Sequence, residues 1–419
     1  MKYDVIIAGG GTAGVSCAYN AAKLGLKVLL IEKNSYLGGT MTSSLVIPAM
    51  KTSDNAINTT FFDALYSKLQ EMNGAITYSD GNKGWFNPEL TKIALDELLS
   101  DVDIIFESKI CSINLDKNKI LSLSIESIDD NNSFAFDKNL LSPIETKYVV
   151  DATGDAKIFQ KLNCNFLENN FNQPCSLRFI MSGIDTKQFT DWIMKLDSDR
   201  DVTTSCKVNN SVHVSTAYTW DTDRHWALEP LFKKALADGI LQKQDTNYFQ
   251  LFSVAGTSDS IAFNAPRLLD STKSRTKLYI EGRSSIYRLA NFCKTYLAGF
   301  KNAHISNIAN SIGVRVSRRI QGKYVYTYDD LITGKKFDNP VLVSNYPVDI
   351  HSNKKNSSVL EKVTQEYQLP IESLMSKDYE NLFAIGRCIS ADFKAQAALR
   401  IIPSCFSMGE GLAKYLAKN

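Results

Sequence analysis

A single stretch near the amino terminus constrains the fold more than anything else in the chain. Asp4–Ala8 (DVIIA) is a short apolar run that meets Gly9-Gly10-Gly11-Thr12-Ala13-Gly14, a G-x-G-x-x-G turn. An alanine-rich helical stretch follows, Val15 to Leu24, with Gly25 as its stop. A second apolar run, Lys27–Ile31, then closes on Glu32. Strand, glycine turn, helix, strand and acid form the unit that binds a dinucleotide. Gly9 permits the tight turn, Gly11 lets the backbone approach a pyrophosphate, and Gly14 lets the helix pack on the strand. The helix N-terminus supplies partial positive charge to the phosphates. Glu32 stands where a carboxylate would accept ribose hydroxyls. The alternative is a glycine turn that only packs a helix tightly.

With 419 residues, the chain is expected to form two domains, or one large domain carrying an inserted one. The formal net charge is +2 and no Lys/Arg cluster occurs, which leaves no footprint for nucleic acid. No apolar run approaches the roughly 18 residues of a membrane span. The first residues read as a strand rather than a leader, so the expected location is cytoplasmic. Eight cysteines are spread from Cys17 to Cys405 without a C-x-x-C pair or a Cys/His cluster, so reduced, buried thiols and no metal are expected. Self-association into a homo-oligomer is left open.

After Glu32 the chain continues Lys33-Asn34-Ser35-Tyr36-Leu37-Gly38-Gly39-Thr40. A second glycine pair just past the ribose acid suggests a loop returning to a longer cofactor than NAD. This arrangement resembles the FAD domain of the glutathione reductase and fumarate reductase flavoproteins. The following stretches fit that resemblance. Asn87-Pro88-Glu89 opens a helix through Leu99, and Asp103–Phe106 is a short strand. Leu121, Leu123 and Ile125 alternate with polar residues, as do Phe134 and Phe136, so 110–147 reads as a β-meander with a hairpin tip at Asp129–Ser133. It ends in a buried strand, Tyr148–Val150, before Asp151-Ala152-Thr153-Gly154-Asp155. No second G-x-G-x-x-G occurs, which argues against a built-in NAD(P)H domain.

The second half carries a closer likeness. Ile261-Ala262-Phe263-Asn264-Ala265-Pro266-Arg267 precedes a long amphipathic helix, roughly Asp270 to Leu297. Ile312-Gly313-Val314-Arg315-Val316-Ser317-Arg318-Arg319-Ile320, Tyr346-Pro347-Val348-Asp349-Ile350-His351, Leu382-Phe383-Ala384-Ile385-Gly386-Arg387 and Arg400-Ile401-Ile402-Pro403 follow. With the first forty residues, this resembles the bacterial family of FAD-dependent oxidoreductases, kin to the flavoprotein subunit of fumarate reductase. The resemblance is thin from about Cys164 to Phe252. It implies an α/β fold: a Rossmann-like FAD-binding domain, with a parallel sheet and a β-meander, from 1–160 plus 300–419. An α+β cap is expected as an insertion over 161–299. It also implies FAD contacts at Gly9, Gly11, Thr12, Ala13, Gly14, Glu32, Lys33, Gly39, Thr40, Met41 and Ile110. Further contacts would come from Ala152, Thr153, Gly154, Asp155, Gly386, Arg387, Arg400, Ile401 and Ile402. One departure stands out. Many such flavoproteins have Gly-Asp where this chain has Gly386-Arg387, so an arginine there would serve the pyrophosphate instead of a ribityl hydroxyl.

The segment Leu399 to Gly411 (LRIIPSCFSMGEG) admits two readings. Cys405 is a nucleophile, or the stretch begins a helix whose N-terminus faces the flavin pyrimidine. Pro403 suits a first turn, Gly409 and Gly411 allow close packing, and no activating base for Cys405 is evident. In the helix reading, free N–H groups stabilise negative charge on the cofactor. Arg315 and Arg319, four apart, share a face if helical, with Arg318 beside them; cations there could hold a carboxylate. Asp349 and His351, two apart, share a face of a strand, where the acid could orient the imidazole. For each the bland reading is structural pairing. His213 and His225 lie in the thinly matched region and could face a substrate. The expected function is hydride transfer between FAD and a small organic substrate, with Arg315, Arg319, Asp349 and His351 as the catalytic group. A flavin monooxygenase and a non-catalytic FAD-binding module are the alternatives.

Overall fold

The computed structural model describes residues 2–77, 83–127, 143–168, 172–208, 211–218, 226–268, 274–351 and 359–419. Strand Lys2–Ala8 lies at the centre of a seven-stranded sheet, parallel to Val28–Ile31 on one side and to Ile144–Asp151 on the other. Asp103–Ile105 extends the sheet beyond Val28–Ile31. The far edge of Ile144–Asp151 is shared. Its amino end pairs antiparallel with Lys119–Ser127, and its carboxyl end pairs parallel with Leu382–Ala384. Ser108–Asp116 completes the antiparallel part. The last strand before the A-T-G turn is therefore longer than the Tyr148–Val150 core the apolar pattern marks. Asp129–Ser133, Phe134 and Phe136 lie outside the described residues, as does His225.

The register aligns the carboxyl ends of the parallel strands: Ala8 is opposite Ile31 and Asp151, and Asp151 is opposite Ala384. Four turns, after Ala8, Ile31, Asp151 and Ala384, therefore leave the sheet along one edge. Parallel sheets place their ligands at that edge.

A second, antiparallel sheet of six strands is built from Thr204–Val208, Ser211–Tyr218, Phe249–Ser253, Ile261–Phe263, Phe179–Ser182 and His304–Ile308, in that spatial order. Its inner face is aromatic: Phe179 stacks on Phe263 with centroids 4.4 Å apart. One continuous apolar core joins this sheet to the first. The amphipathic helix covers Arg275–Tyr296, capped by Ser274, whose hydroxyl accepts the Lys277 N–H. Helix Pro88–Leu98 starts as the sequence suggests, with the Asn87 side chain accepting the N–H groups of Glu89 and Leu90. No helix among the described residues is long and apolar enough to cross a membrane.

Candidate functional site

The glycine turn joins Lys2–Ala8 to the helix Thr12–Lys23. Gly9 takes φ +107°, and a β-carbon there would come 2.6 Å from the Ala152 carbonyl oxygen. A β-carbon at Gly14 would come 2.0 Å from the Gly9 carbonyl oxygen. These two glycines are required by the protein's own packing. Gly11 is different. Its backbone is extended, with φ −78° and ψ −176°, and a β-carbon would meet nothing nearer than Gly39 Cα at 3.9 Å. Neither conformation nor neighbours demand a glycine there; the open side is the cavity. No side chain caps this helix, so its first N–H groups face the same space.

Glu32 is buried, and both its oxygens are engaged. Oε2 accepts the Gly10 N–H at 2.7 Å; Oε1 accepts the Asn34 N–H and side-chain amide at 2.9 and 2.7 Å. Burial pushes its carboxyl up, against those hydrogen bonds. The acid ties the glycine turn to the second strand. Asp151 does the same work for the next turn: fully buried, it accepts from Thr153 N and Oγ1 and from Ile158 N.

The closing helix, Ile402–Lys418, packs on Thr12–Lys23, where a β-carbon at Gly409 would be 2.3 Å from the Ala13 carbonyl oxygen. Ser16 Oγ donates to the Phe406 carbonyl at 2.7 Å. Its first residue follows Ile401 with no side-chain cap, and Pro403 sits in the first turn. Two uncapped helix N-termini thus border one cavity of about 460 Å³, which Gly11, Thr12, Ala13, Ile401 and Ile402 help to line. Cys405 also borders it, but burial pushes its thiol up to about 12, and Sγ donates to the Arg400 carbonyl. A thiol held that far up is a poor nucleophile, and a helix does begin within this segment, at Ile402.

The cavity wall is rich in arginine. Arg178, Arg315, Arg387 and Arg400 line it, against one lining carboxylate among the described residues, Asp349. Arg387 is taken up by Asp155 at 2.5 Å and by the Gly154 and Val314 carbonyls. Arg400 donates to the Asp349 carbonyl at 2.9 Å and faces its carboxylate at 3.8 Å. Arg315 donates to the Pro174 carbonyl at 2.6 Å and to Ser176 Oγ at 3.2 Å. Arg178 donates to Asn264 Oδ1 at 2.9 Å. Burial pushes the Arg315 guanidinium down to about 9, aided by repulsion from Arg267, Arg400 and Arg178; burial pushes Arg178 down to about 10.

Asp349 and His351 leave the strand Val348–Ile350 on one face, as expected. His351 Nδ1 lies 2.8 Å from Arg267 Nη2. A guanidinium only donates, so Nδ1 is the acceptor and the proton is on Nε2, which lies 3.2 Å from Asp349 Oδ2. Burial and Arg315 push the imidazole down to about 3, so it is neutral. Burial opposes the charge on Asp349, but the His351 contact, Arg400 and Arg315 outweigh it and hold the carboxyl well below the usual range. Arg267 also stacks 4.0 Å over the Tyr248 ring.

Of the residues singled out in the sequence, Gly11, Thr12, Ala13, Gly39, Thr40, Ala152, Thr153, Gly154, Gly386, Arg387, Arg400, Ile401, Ile402, Arg315, Asp349 and His351 line the cavity together. Met41 and Ile110 are in the apolar core, and Lys33 is exposed. Asp155 pairs with Arg387 and Arg275. The stretch from Arg315 to Arg319 is not helical. This corrects the shared-face expectation: in irregular chain the two side chains diverge, and Arg319 donates to the carbonyls of Ala391 and Glu168, away from the cavity lining. His213 is buried in the second sheet and does not line the cavity. Sequence reasoning missed Arg178, Tyr248, Gln250 and Tyr346. Arg178 left one signal, a charge inside the apolar run Leu177–Met181.

The donor set fits FAD: an opening at Gly11, helix N–H groups for a pyrophosphate, and a second uncapped helix end for the flavin. The chain matches the model of the FAD-dependent oxidoreductase family over residues 4–417, and it belongs to that family. Curated relatives match over short segments. Digeranylgeranylglycerophospholipid reductase 2 of Methanothermobacter thermautotrophicus is 58% identical over 38 residues, 9% of this chain and 10% of the relative. D-amino acid dehydrogenase of Helicobacter pylori is 55% identical over 40 residues, 10% of each. The chain thus spans about a tenth of the length of these curated relatives. Among solved structures, a flavoprotein/dehydrogenase from Cytophaga hutchinsonii superposes with a TM-score of 0.48 at 14% identity, covering 99% of this chain and 79% of that one. The flavin-dependent halogenase CmlS gives 0.49 at 12%, covering 100% and 58%.

Proposed function

We propose that this chain is an FAD-dependent oxidoreductase that moves a hydride between the flavin and a small organic substrate bound at the arginine end of the cavity. FAD, when bound, supplies the hydride chemistry through N5. One observation carries the reading: the glycine turn, the uncapped N-terminus at Ile401–Ile402 and the arginine cluster open into the same cavity. Gly11, Thr12 and Ala13 would hold the pyrophosphate. Ile402 and Ser404 N–H groups, in the first turn of the closing helix, would oppose negative charge on the flavin pyrimidine. In this reading 1–160 and 300–419 carry the cofactor and 161–299 caps the site, although the second sheet draws its last strand, His304–Ile308, from beyond that insertion. Kinship with the fumarate reductase flavoprotein belongs to the same proposal.

His351 acts in it as a positioning residue. Neutral, with both ring nitrogens engaged, it aligns Arg267 and Asp349 and moves no proton at neutral pH. Tyr248 and Tyr346 bring phenol groups to the cavity wall. The test is anaerobic. The FAD-loaded protein is mixed in turn with metabolite pools and with NAD(P)H while the flavin band is followed. Bleaching by an organic metabolite, or reduction followed by reoxidation with one, is the expected result. A band that no donor bleaches, on a protein that co-purifies with a partner, would replace the enzyme with a binding module.

A further inference from the structure

We infer that the arginine end of the cavity is a site for the carboxylate of a small organic acid, held by Arg178 and Arg315 with Arg400 beside them. The inference rests on the oxidoreductase reading for the role of that acid as substrate, and on the following geometry for its charge.

The cations on the cavity wall are unevenly matched. Arg387 has Asp155, and Arg400 has Asp349. Arg178 and Arg315 have no carboxylate partner among the described residues; they donate to an amide oxygen, to carbonyls and to a hydroxyl. Both side chains are more than nine-tenths buried, with 8% of each residue exposed. Arg267, behind Tyr248 and His351, adds a third buried guanidinium, and its partner is a neutral imidazole. The Nε atoms of Arg267 and Arg400 are buried without an acceptor among the described residues.

Buried guanidinium groups that repel one another are costly unless an anion joins them. Stability alone does not explain such a cluster, since apolar residues of the same size would pack there without the cost. A carboxylate placed between Arg178 and Arg315, which both line the cavity, relieves that repulsion and accepts from their guanidinium groups. Both arginines are also fixed from behind: Arg178 by the Asn264–Gln250–Tyr248 chain of hydrogen bonds, Arg315 by Pro174 and Ser176. Forks held in place lose little freedom on binding. Trp85, Tyr248 and Tyr346 also line the wall, which suits an organic body better than a bare ion.

The experiment is isothermal titration of the purified, FAD-reconstituted protein at constant ionic strength with propionate, succinate and benzoate, each beside its neutral amide. Inorganic phosphate is run in parallel, and flavin content is read by absorbance on the same sample. At least one carboxylate should bind about 10-fold or more tightly than its amide, the expected value of a charge-assisted contact. Arg315→Gln should remove that preference while flavin content is unchanged. Arg178→Gln provides the same reading should the first variant fail to fold. The acid–amide comparison on the wild type needs neither. Equal binding of acids and amides, binding of phosphate without any carboxylate, or an unchanged preference in a folded Arg315→Gln protein would each overturn the inference. Carboxylate binding by a protein that holds no flavin would leave the inference standing and refute the oxidoreductase reading. Flavin without carboxylate selectivity would do the reverse.

Discussion

At the glycine-turn end of the cavity the groups that face the opening are backbone N–H groups from one uninterrupted stretch, Gly11 to Ala13. At the other end they are guanidinium groups delivered by Arg178, Arg315 and Arg400, which lie far apart in the chain and meet only in the folded molecule. The first end costs the protein no buried charge. The second gathers like charges in a place where burial, and then Arg267, Arg400 and Arg178, push the ionisation of Arg315 down. A pyrophosphate site can be built from local backbone geometry alone. A site selective for one organic molecule needs side chains, and those come from wherever the fold brings them.

The largest effect expected from breaking this contrast is at Gly14. A β-carbon there would sit 2.0 Å from the Gly9 carbonyl oxygen, so Gly14→Ala should disturb the turn itself. Overpacking of this kind costs about 1–3 kcal/mol or more. Urea unfolding should show that loss, with flavin binding lost alongside it. Retention of full stability would mean that the turn yields to an added methyl group.

Next is the acid side of the stability profile. The His351 imidazole is held down at about 3 in the folded protein, below the ordinary 6.5 of an unfolded one. Between those values the unfolded chain binds more protons than the folded one, so stability falls as pH falls from 6.5 towards 3. At pH 5 that is a loss of about 2 kcal/mol relative to pH 8, from 1.5 pH units at about 1.36 kcal/mol each. His351→Gln should flatten this part of the profile in thermal melts across pH 5–8. An unchanged slope would mean that other groups carry it.

A smaller and more selective effect is expected in turnover. If His351 positions Arg267 and Asp349, His351→Gln lowers the rate without moving any break in the pH–rate profile between pH 5 and 8. A break in the wild type that vanishes in the variant would make the imidazole a proton carrier. The smallest effect belongs to Cys405. Its thiol is pushed up to about 12, so Cys405→Ser should leave turnover nearly unchanged, and thiol reagents at pH 8 should not reach it. Loss of activity on alkylation of this residue would reopen the nucleophile reading.

The same contrast explains how far the sequence could be read. The parallel strands, the glycine turn, the Asn87 cap and the closing helix all rest on signals within a few residues: apolar runs, glycine spacing, Pro403 and an asparagine before a proline. The pairing of Asp349 with His351 was legible because period-two alternation puts both on one face of a strand. Arg319 misled because a four-residue spacing has meaning only on a helix, and the chain there is irregular, held by carbonyl contacts to Ala391 and Glu168. Met41 and Ile110 were assigned to the cofactor by resemblance, but their side chains fill the core. The joint role of Arg178, Gln250 and Asn264 was out of reach, since it appears only when strands Phe179–Ser182, Phe249–Ser253 and Ile261–Phe263 pair.

Gly11 allows the most direct test of the central claim, that this turn holds FAD. Its backbone is one any residue can adopt, and a side chain there would extend only into the cavity. The measurement is the flavin content of wild type and Gly11→Leu after reconstitution with FAD, alongside their circular dichroism. One FAD per wild-type chain, and none on a variant with unchanged secondary structure, is the expected result. A folded Gly11→Leu protein that retains stoichiometric FAD would contradict it.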